Sequence, residues 1–374
     1  MLKRNGKRRR GLGSIAQDIV TGKCCLAGVI VCGLLFARPV SAQTDFQHRF
    51  KSAFPSNADS CASCHSLPEL GGSSKVMVTR VQLAAAGPPS NSLVLHLSRQ
   101  SEAATGDSTR GERLTLSLIG DGYIEAIDEG DIRAAQKQQH LASNGRIAGT
   151  IVRAPVLESR RSETAIGKFG WKGQHSSLAS ACADSMLNEL GVPNRLYPAQ
   201  GTVRNDDDLA LTRIVAFVRL LPPPERDRDL AGTEDAVRGE KIFSQIGCSL
   251  CHVPTMTTLP SGTAINGGTY RIPEQVGNKE IHPYSDFLLH DVGTGDGILQ
   301  AATSQFIDPA TANRFRTPPL WGLRYRVWLM HDGKAVTLHQ AIMRHAGEAS
   351  DVVAKYEKLT PKERHELDQF LNSL

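Results

Sequence analysis

Two short motifs of identical pattern constrain this chain more than any other feature. Each has two cysteines three positions apart, with a histidine directly after the second: Cys61-Ala-Ser-Cys64-His65 and Cys248-Ser-Leu-Cys251-His252. Their first cysteines are 187 residues apart, so the 374-residue chain offers one motif to each half. A chain of this length suits two domains, each long enough to bury a core of its own.

The first 42 residues are typical of a secretory signal peptide. A basic segment precedes the apolar stretch 24–37, and Val40-Ser41-Ala42 has the small residues of a cleavage site. The apolar stretch is short for a bilayer span, which needs about 20 residues. We therefore expect cleavage after Ala42, export to the periplasm, and no stable membrane span in the mature protein.

The charge of the mature chain gives no reason to expect a nucleic-acid partner. The whole chain carries a formal charge of +5. Eight basic residues but only one acidic residue lie in the signal segment, so the mature protein is close to neutral. No basic surface remains to attract a polyanion.

The motif C-x-x-C-H in an exported chain is the signature of covalent haem c attachment. Both thiols can add to the vinyl groups of one porphyrin, and the adjacent imidazole becomes an axial ligand of the iron. A disulfide, a redox pair or a zinc site would explain C-x-x-C, but none of them predicts a histidine after both pairs. The sequence therefore predicts two haem c groups, attached through Cys61, Cys64, Cys248 and Cys251 with His65 and His252 as iron ligands.

Three prolines, Pro222 to Pro224, mark the predicted boundary between the halves, because they cannot continue a helix. We predict a signal peptide at 1–42 and cytochrome c-like haem domains at 43–224 and 225–374. The predicted fold class is mainly α, with loop-rich and short β elaborations. Strand-like runs fall in the first half, at 76–83, 93–97 and 114–118.

Helical periodicity is clearest on both sides of the second motif. One apolar face before Cys248 consists of Ala236, Gly239, Phe243 and Ile246. At the end of the chain, Thr360 followed by Pro361 and Glu363 predicts a capped helix start. The apolar stripe of that last helix is Leu367, Phe370, Leu371 and Leu374.

His345 is the candidate for the sixth iron ligand of the second haem. Thr337 predicts a helix N-cap, with Gln340 three positions on, and His345 shares a face with Leu338, Ala341 and Ile342. A histidine on such a face is more often a core residue than a ligand. The residues alone leave both interpretations open.

Seven stretches together resemble the bacterial di-haem oxidoreductases known as thiol oxidoreductases, within the superfamily of di-haem cytochrome c peroxidases. They follow the family's order through both halves: 60–74, 120–127 (GDGYIEAI), 169–174 (FGWKGQ), 247–254, 285–293, 316–324 (RTPPLWGLR) and 329–349. The resemblance implies that His345 ligates the C-terminal haem, because it lies fourteen residues after the histidine of the H-D-G turn. It also implies that Trp171 lies between the two haems.

The resemblance further implies that the N-terminal haem is the reactive one. Where related peroxidases carry Gln and Glu, this chain has Ala181 and Gly191. Glu125 or Glu189 would then be the catalytic carboxylate, although isolated acidic residues are more often surface or capping groups. The sixth position of the N-terminal haem stays open among His96, His140 and His175.

The resemblance implies a di-haem c-type oxidoreductase of peroxidase-like activity. A soluble electron-transfer protein, a small cytochrome c or a cupredoxin, would supply electrons through the C-terminal haem, and peroxide or another small oxidant would react at the N-terminal haem. The alternative is a non-catalytic electron carrier with both irons six-coordinate. Thiol chemistry at Cys182 is a third hypothesis, which nothing beside that residue supports. For a calcium ion between the domains the sequence has no signal.

Overall fold

The computed structural model describes residues 77–83, 93–94, 108–198, 205–300 and 308–374, with side chains from residue 111 onward except at 205–207. All of them belong to one compact unit, residues 50–374. The signal segment, the first motif with Cys61, Cys64 and His65, and His96 lie outside the described residues. The division into haem domains at 224/225 stays a prediction.

Helices dominate the described residues. The α-helices are α1 Asp121–Glu125, α2 Glu129–Ala142, α3 Leu178–Asn188, α4 Asn205–Leu220, α5 Arg228–Ala231, α6 Glu234–Ile246, α7 Leu338–Met343, α8 Ser350–Glu357 and α9 Pro361–Ser373. One-turn 3-10 helices are Cys248–Leu250, Asn266–Gly268, Pro309–Thr311, Leu323–Tyr325 and Gly347–Ala349. Helix α4 ends at Leu220, directly before the run of prolines.

The strands are short and all their pairings are antiparallel. A three-stranded sheet in the order β2-β1-β3 consists of β1 Met77–Leu83, β2 Leu93–Val94 and β3 Ser108–Leu114. Two-residue and three-residue strands form four further pairs: β4 Arg153–Pro155 with β5 Thr164–Ile166, β6 Met256–Thr257 with β9 Glu280–Ile281, β7 Ala264–Ile265 with β8 Tyr270–Arg271, and β10 Leu289–His290 with β11 Phe315–Arg316.

The third predicted strand is displaced along the chain. The apolar run 114–118 predicted it, but β3 occupies Ser108–Leu114 and pairs along the whole of β1, from Met77 opposite Leu114 to Leu83 opposite Ser108. Most residues of β3 are polar or charged. Its position follows from backbone pairing with β1 rather than from its own hydrophobicity.

Helices α6 and α9 cross closely and form the core next to the second motif. A Cβ atom on Gly239 would lie 2.0 Å from the carbonyl oxygen of Glu366, so only glycine permits this approach. The predicted apolar faces of both helices are buried here. The cluster contains Ile242, Phe243, Ile246, Tyr284, Tyr356, Leu367, Phe370, Leu371 and Leu374. Thr360 and Glu363 form the predicted capping box of α9.

A second and larger core contains residues from both sides of the prolines. It is built on α1 to α4, and Met256, Phe287, Leu288 and Trp321 complete it from the C-terminal part of the chain. The described residues contain no helix that is both long enough and apolar enough to cross a membrane.

Candidate functional site

The second cysteine motif lies on a tight turn at the end of α6. The helix stops at Ile246 because Gly247 adopts a left-handed conformation, with φ of 105°. A 3-10 turn, Cys248–Leu250, follows, and the backbone N–H of His252 donates to the Cys248 carbonyl at 2.9 Å. This turn holds both cysteines and the histidine at the wall of one cavity.

The cavity beside the motif is mostly apolar. Its wall contains Cys248, Cys251, His252 and His345, with Trp171, Arg316, Arg326 and His331 as further polar or aromatic members. The rest is mainly aliphatic, aromatic and proline side chains, including Phe243, Phe315, Pro318, Pro319, Leu338 and Ile342. Such a lining suits a large planar apolar group.

Both histidines are oriented by the main chain. Nδ1 of His252 lies 3.1 Å from the Tyr284 carbonyl oxygen, and Nδ1 of His345 lies 2.8 Å from the Ala341 carbonyl oxygen. A carbonyl can only accept, so each Nδ1 carries the proton and donates. Nε2 of each ring is then the nitrogen available to a metal, which is how metal-bound imidazoles are normally fixed.

Burial favours the uncharged forms of the two cysteines and of both histidines at this cavity. It lowers the pKa of His252 to about 4, and repulsion from His345 adds to that effect. Burial also lowers the pKa of His345. It raises the pKa of Cys248 to about 12 and raises that of Cys251. The site therefore offers two thiols and two neutral imidazoles, a donor set that fits an iron porphyrin held by thioether links and two axial nitrogens.

A charged network adjoins the motif, and its central residue, His290, also lines the cavity. His290 Nε2 lies 2.8 Å from Asp286 Oδ2, and His290 Nδ1 lies 2.9 Å from Glu348 Oε2. Burial opposes charge on His290, but Asp286 raises its pKa well above the usual value. Gln139 of α2 also donates to Asp286, at 2.8 Å. The residues Cys251, Asp286 and His290 lie close enough to share a cation, but Cys251 belongs to the cysteine motif.

The segment that carries Asp286 is held in an unusual backbone conformation. Tyr284 and Phe287 have positive φ values of 51° and 58°, which are rare for aromatic residues. Between them the Ser285 and Asp286 N–H groups donate to the carbonyls of Val253 and Cys251, at 3.0 and 2.9 Å. This conformation presents the Tyr284 carbonyl to His252, and strain of this kind concentrates at functional sites.

Trp171 forms part of the cavity wall and is 9% exposed. Its indole N–H donates to the Leu114 carbonyl at 2.7 Å, and its ring contacts Phe315 and His331 edge-on, at 6.1 and 6.2 Å between centroids. Phe315 and His331 stack at 3.7 Å. His331 is therefore part of the cavity and not only of the turn formed with Asp332 and Gly333.

Lys172, the neighbour of Trp171 in the sequence, places its ammonium group against the ring of Phe315. Its Nζ lies 4.0 Å from the Phe315 ring and donates to the carbonyls of Thr311, Ala312 and Arg314. Burial lowers the pKa of Lys172 to about 7, and Asp296 opposes that shift. The contacts tie Trp171 to the loop before β11.

The two candidate carboxylates lie in different surroundings. Glu125 is 1% exposed and its oxygens accept from Arg219, from the Leu178 N–H and from Asn266. Glu189 is partly buried at the C-cap of α3. Neither lines the cavity beside Cys248.

The remaining histidine and cysteine candidates also lie away from that cavity. His175 is buried with Nδ1 2.9 Å from Ser180 Oγ and Nε2 3.4 Å from Asp184, so both ring nitrogens have partners. His140 is exposed on α2. Cys182 is partly buried on α3, against the larger core.

Sequence reasoning did not single out Asp286, Glu348 or Arg326. Asp286 and Glu348 take their role from contacts with His290 and with the first half of the chain. Arg326 follows a tryptophan-containing stretch that resembled a family motif, but it is one of many arginines. The one available signal for Arg326 in the sequence is the apolar run 327–330 that follows it directly.

The family comparison covers most of the residues that line this cavity, but not Leu114, Ile147 and Trp171. Residues 200–374 match the model of the family described as "Di-haem oxidoreductase, putative peroxidase". Among curated proteins, none matches the chain at a significant level.

Three solved structures are similar to the chain at low sequence identity. Hydrazine synthase of Kuenenia stuttgartiensis, pressurised with xenon, has 17% identity and a TM-score of 0.44, covering 88% of this chain and 85% of that one. A MauG-like protein associated with microbial copper homeostasis has 17% identity and a TM-score of 0.42, covering 87% of each chain. A variant of the diheme peroxidase BthA from Burkholderia thailandensis has 15% identity and a TM-score of 0.42, covering 87% and 84%.

Proposed function

We propose that the chain is a periplasmic di-haem c-type oxidoreductase with peroxidase-like activity. The match of residues 200–374 to the model of the di-haem oxidoreductase family supports this proposal. In this proposal the C-terminal site exchanges electrons with a small soluble redox protein, and peroxide is reduced at an N-terminal site. The signal-peptide pattern of residues 1–42 supports export.

One observation carries the proposal. Two partly buried, neutral imidazoles, those of His252 and His345, line the same apolar cavity as Cys248 and Cys251, and each is fixed through Nδ1 to a backbone carbonyl. A structural zinc site would need ligands within bonding reach of a single small ion and has no use for a large apolar cavity. A haem bound there would supply one-electron redox chemistry.

The chain's own residues hold and insulate that group. Cys248 and Cys251 would supply the thiols that attach the haem, and His252 and His345 would supply nitrogens that bind its iron. The apolar wall around Phe243, Phe315 and Leu338 excludes water, and burial is one of the factors that set the reduction potential of a haem. By the same motif chemistry, Cys61, Cys64 and His65 hold a second haem.

Trp171 is proposed as the relay towards the N-terminal haem. It lies in the wall of the C-terminal cavity, and its indole N–H is bound to the carbonyl of Leu114, so the ring has one fixed orientation. Glu125 or Glu189 is proposed to move a proton during peroxide cleavage. The contacts of Glu125 with Arg219 and Asn266 favour a structural role for that carboxylate.

A small cytochrome c or cupredoxin is the proposed electron partner. Tyr325, Val327, Val336 and Met343 are exposed hydrophobic residues on two segments, 323–331 and 335–343, that also line the C-terminal cavity. Apolar contacts near a redox group suit brief docking of a small carrier.

Haem attachment is tested first. The periplasmic protein is purified and its mass and pyridine haemochrome content are measured for wild type, the double variant Cys248→Ala/Cys251→Ala, and Cys182→Ser as a cysteine control. We expect two haems in wild type and in Cys182→Ser, and one in the double variant. A wild-type mass without any haem would overturn the proposal.

Catalysis is tested separately from haem binding. Electron paramagnetic resonance of the resting protein and peroxide consumption after partial reduction are measured on the same preparation. We expect a high-spin signal from one iron and turnover. Entirely low-spin iron with no turnover would instead identify a six-coordinate electron carrier.

A further inference from the structure

Arg326 is a partly buried arginine in the wall of the cavity that contains Cys248, Cys251 and His252. It follows the 3-10 turn Leu323–Tyr325, and its backbone N–H donates to the Leu323 carbonyl at 3.0 Å. Among the residues that the structure describes, none forms a hydrogen bond or ion pair with its guanidinium.

Nearby arginines differ from Arg326 in this respect. Arg316, in the same wall, donates from Nε to the Gly170 carbonyl at 2.8 Å. Arg324 donates to the Leu374 carbonyl at 2.8 Å and to the Glu225 carbonyl at 2.6 Å. Arg344 forms a two-point contact with Asp332, 2.7 Å at each nitrogen. The missing partner is therefore particular to Arg326 among these four.

The position of Arg326 is unfavourable for a charge. Burial lowers the pKa of its guanidinium, and no neighbouring acid opposes that shift. A desolvated charge costs free energy unless an opposite charge or hydrogen-bond acceptors replace the lost water. The surrounding wall, with Leu323, Trp328 and Leu329, offers apolar side chains. An anionic group inside the cavity would supply the opposite charge and the hydrogen-bond acceptors for the Arg326 guanidinium.

The chemistry of the cavity indicates which anion this is. A porphyrin attached at Cys248 and Cys251 brings its own two carboxylates, the propionates, and a guanidinium binds a carboxylate through two parallel hydrogen bonds. We propose that Arg326 binds a propionate of the haem held by Cys248, Cys251 and His252, and so fixes the orientation and charge balance of that group. This inference rests on the proposed function, since it requires a haem at the second motif.

Besides Thr294, whose buried Oγ1 has no partner among the described residues, the wall has a neutral polar group with bonding capacity to spare in His331. Its Nε2 lies 2.7 Å from the Thr294 carbonyl oxygen, while its buried Nδ1 has no partner among the described residues. Nε2 faces an acceptor and therefore carries the proton of the neutral ring, so Nδ1 is an acceptor and cannot donate to a carboxylate. Arg326 is therefore better suited to the propionate than His331, and unlike the Thr294 hydroxyl it offers a positive charge.

The test compares purified holoproteins by spectroelectrochemistry. Arg326→Gln removes a positive charge beside one porphyrin, so the reduced iron at that site loses stabilisation. We expect its reduced-to-oxidised ratio at a fixed electrode potential to fall about tenfold, which is about 59 mV for a one-electron couple. The other haem should not change. His345→Met identifies which of the two couples belongs to the C-terminal site.

Two further variants make the result specific. Arg326→Lys keeps the charge but not the two-point geometry, so it should restore most of the potential while shifting the propionate bending band in the resonance Raman spectrum. Arg146→Gln removes an exposed arginine paired with Asp351 and should change neither quantity. If Arg326→Gln does not fold, the Raman band of Arg326→Lys decides alone.

The outcomes separate this inference from the proposed function. If wild-type protein carried no haem at Cys248 and Cys251, both the proposed function and the role of Arg326 would be overturned. A fully loaded Arg326→Gln protein with both potentials unchanged, or an unshifted propionate band in Arg326→Lys, would overturn the role of Arg326 and leave the di-haem proposal standing.

Discussion

Arg219 and Glu125 form a two-point ion pair in the interior, with Arg219 Nε 2.6 Å from Glu125 Oε2 and Nη2 3.0 Å from Oε1. The Glu125 carboxylate also accepts from the Leu178 N–H at 2.9 Å and from Asn266 at 2.8 Å. It therefore joins α1, α3, α4 and the turn at Asn266. A carboxylate with this many donors acts first as a structural link.

We expect Glu125→Gln to destabilise the fold by about 3 kcal/mol, because removing one partner leaves the Arg219 charge buried and uncompensated. Urea unfolding followed by circular dichroism measures this. Glu129→Gln is the matched control, since Glu129 pairs with the exposed Arg133 and Arg153 and should cost less than about 1 kcal/mol. A Glu125→Gln protein of wild-type stability that has lost peroxide turnover would instead make Glu125 a catalytic group.

Glu348 gives a prediction for acid pH. Burial alone would raise its pKa, but hydrogen bonds from His290 and from the Ala148 N–H lower it from 4.5 to about 2. A carboxylate whose pKa is lower in the folded state stabilises the fold above its unfolded pKa and loses that contribution as the pH falls. The contribution of Glu348 should therefore be complete above about pH 5 and disappear between about pH 4.5 and 2.

The variant Glu348→Gln should be less stable than wild type by about 3 kcal/mol at pH 7. The two proteins should converge near pH 2. Urea unfolding at a series of pH values measures the difference, with the exposed Glu274→Gln as control. A difference that stays constant down to pH 2 would contradict the assignment.

The sequence predicts the parts of this molecule whose signals are local. The cap at Thr360 and the apolar face of α6 depend on neighbours within a few positions, and the structure confirms them. The pairing of β3 with β1 and the contact of Glu348 with His290, 58 positions away, depend on the completed fold. Arg326 belongs to the same class, because only the assembled cavity reveals that its charge has no partner among the residues that the structure describes.

A substitution at Gly239 tests whether helices α6 and α9 cross as closely as the structure shows. A methyl group at this position would meet the Glu366 carbonyl oxygen at 2.0 Å and Phe370 Cβ at 2.8 Å. We expect Gly239→Ala to cost about 1–3 kcal/mol through forced separation of the two helices, despite the better helix propensity of alanine. Ser244→Ala, at an exposed position of the same helix, should lie within about 0.5 kcal/mol of wild type. Equal stabilities of the two variants in thermal unfolding would argue against the crossing.

His345 is expected to determine the spin state and the potential of the C-terminal iron. His345→Ala should convert that iron from low spin to high spin, whereas His345→Met should keep it low spin and raise its reduction potential, because a thioether ligand favours the reduced state. Electron paramagnetic resonance and spectroelectrochemistry measure these changes. His339→Ala, in helix α7, which ends two residues before His345, alters a ring that is bound to Tyr356 and should leave both quantities as in wild type. An unchanged low-spin spectrum in His345→Ala would show that another residue is the ligand.

A change at Trp171 can affect both the stability of the fold and the rate of electron transfer. A pair of matched variants distinguishes the two effects. Trp171→Phe keeps the apolar ring but removes the N–H bound to the Leu114 carbonyl, which should cost about 1 kcal/mol. If Trp171 relays electrons, the rate at which peroxide reoxidises the C-terminal haem should also fall at least tenfold, as followed by stopped-flow absorbance. Trp321→Phe makes the same substitution in the larger core, where Trp321 packs against Gly120. It should lower stability without changing that rate, and equal rates in the two variants would mean that Trp171 only fills space.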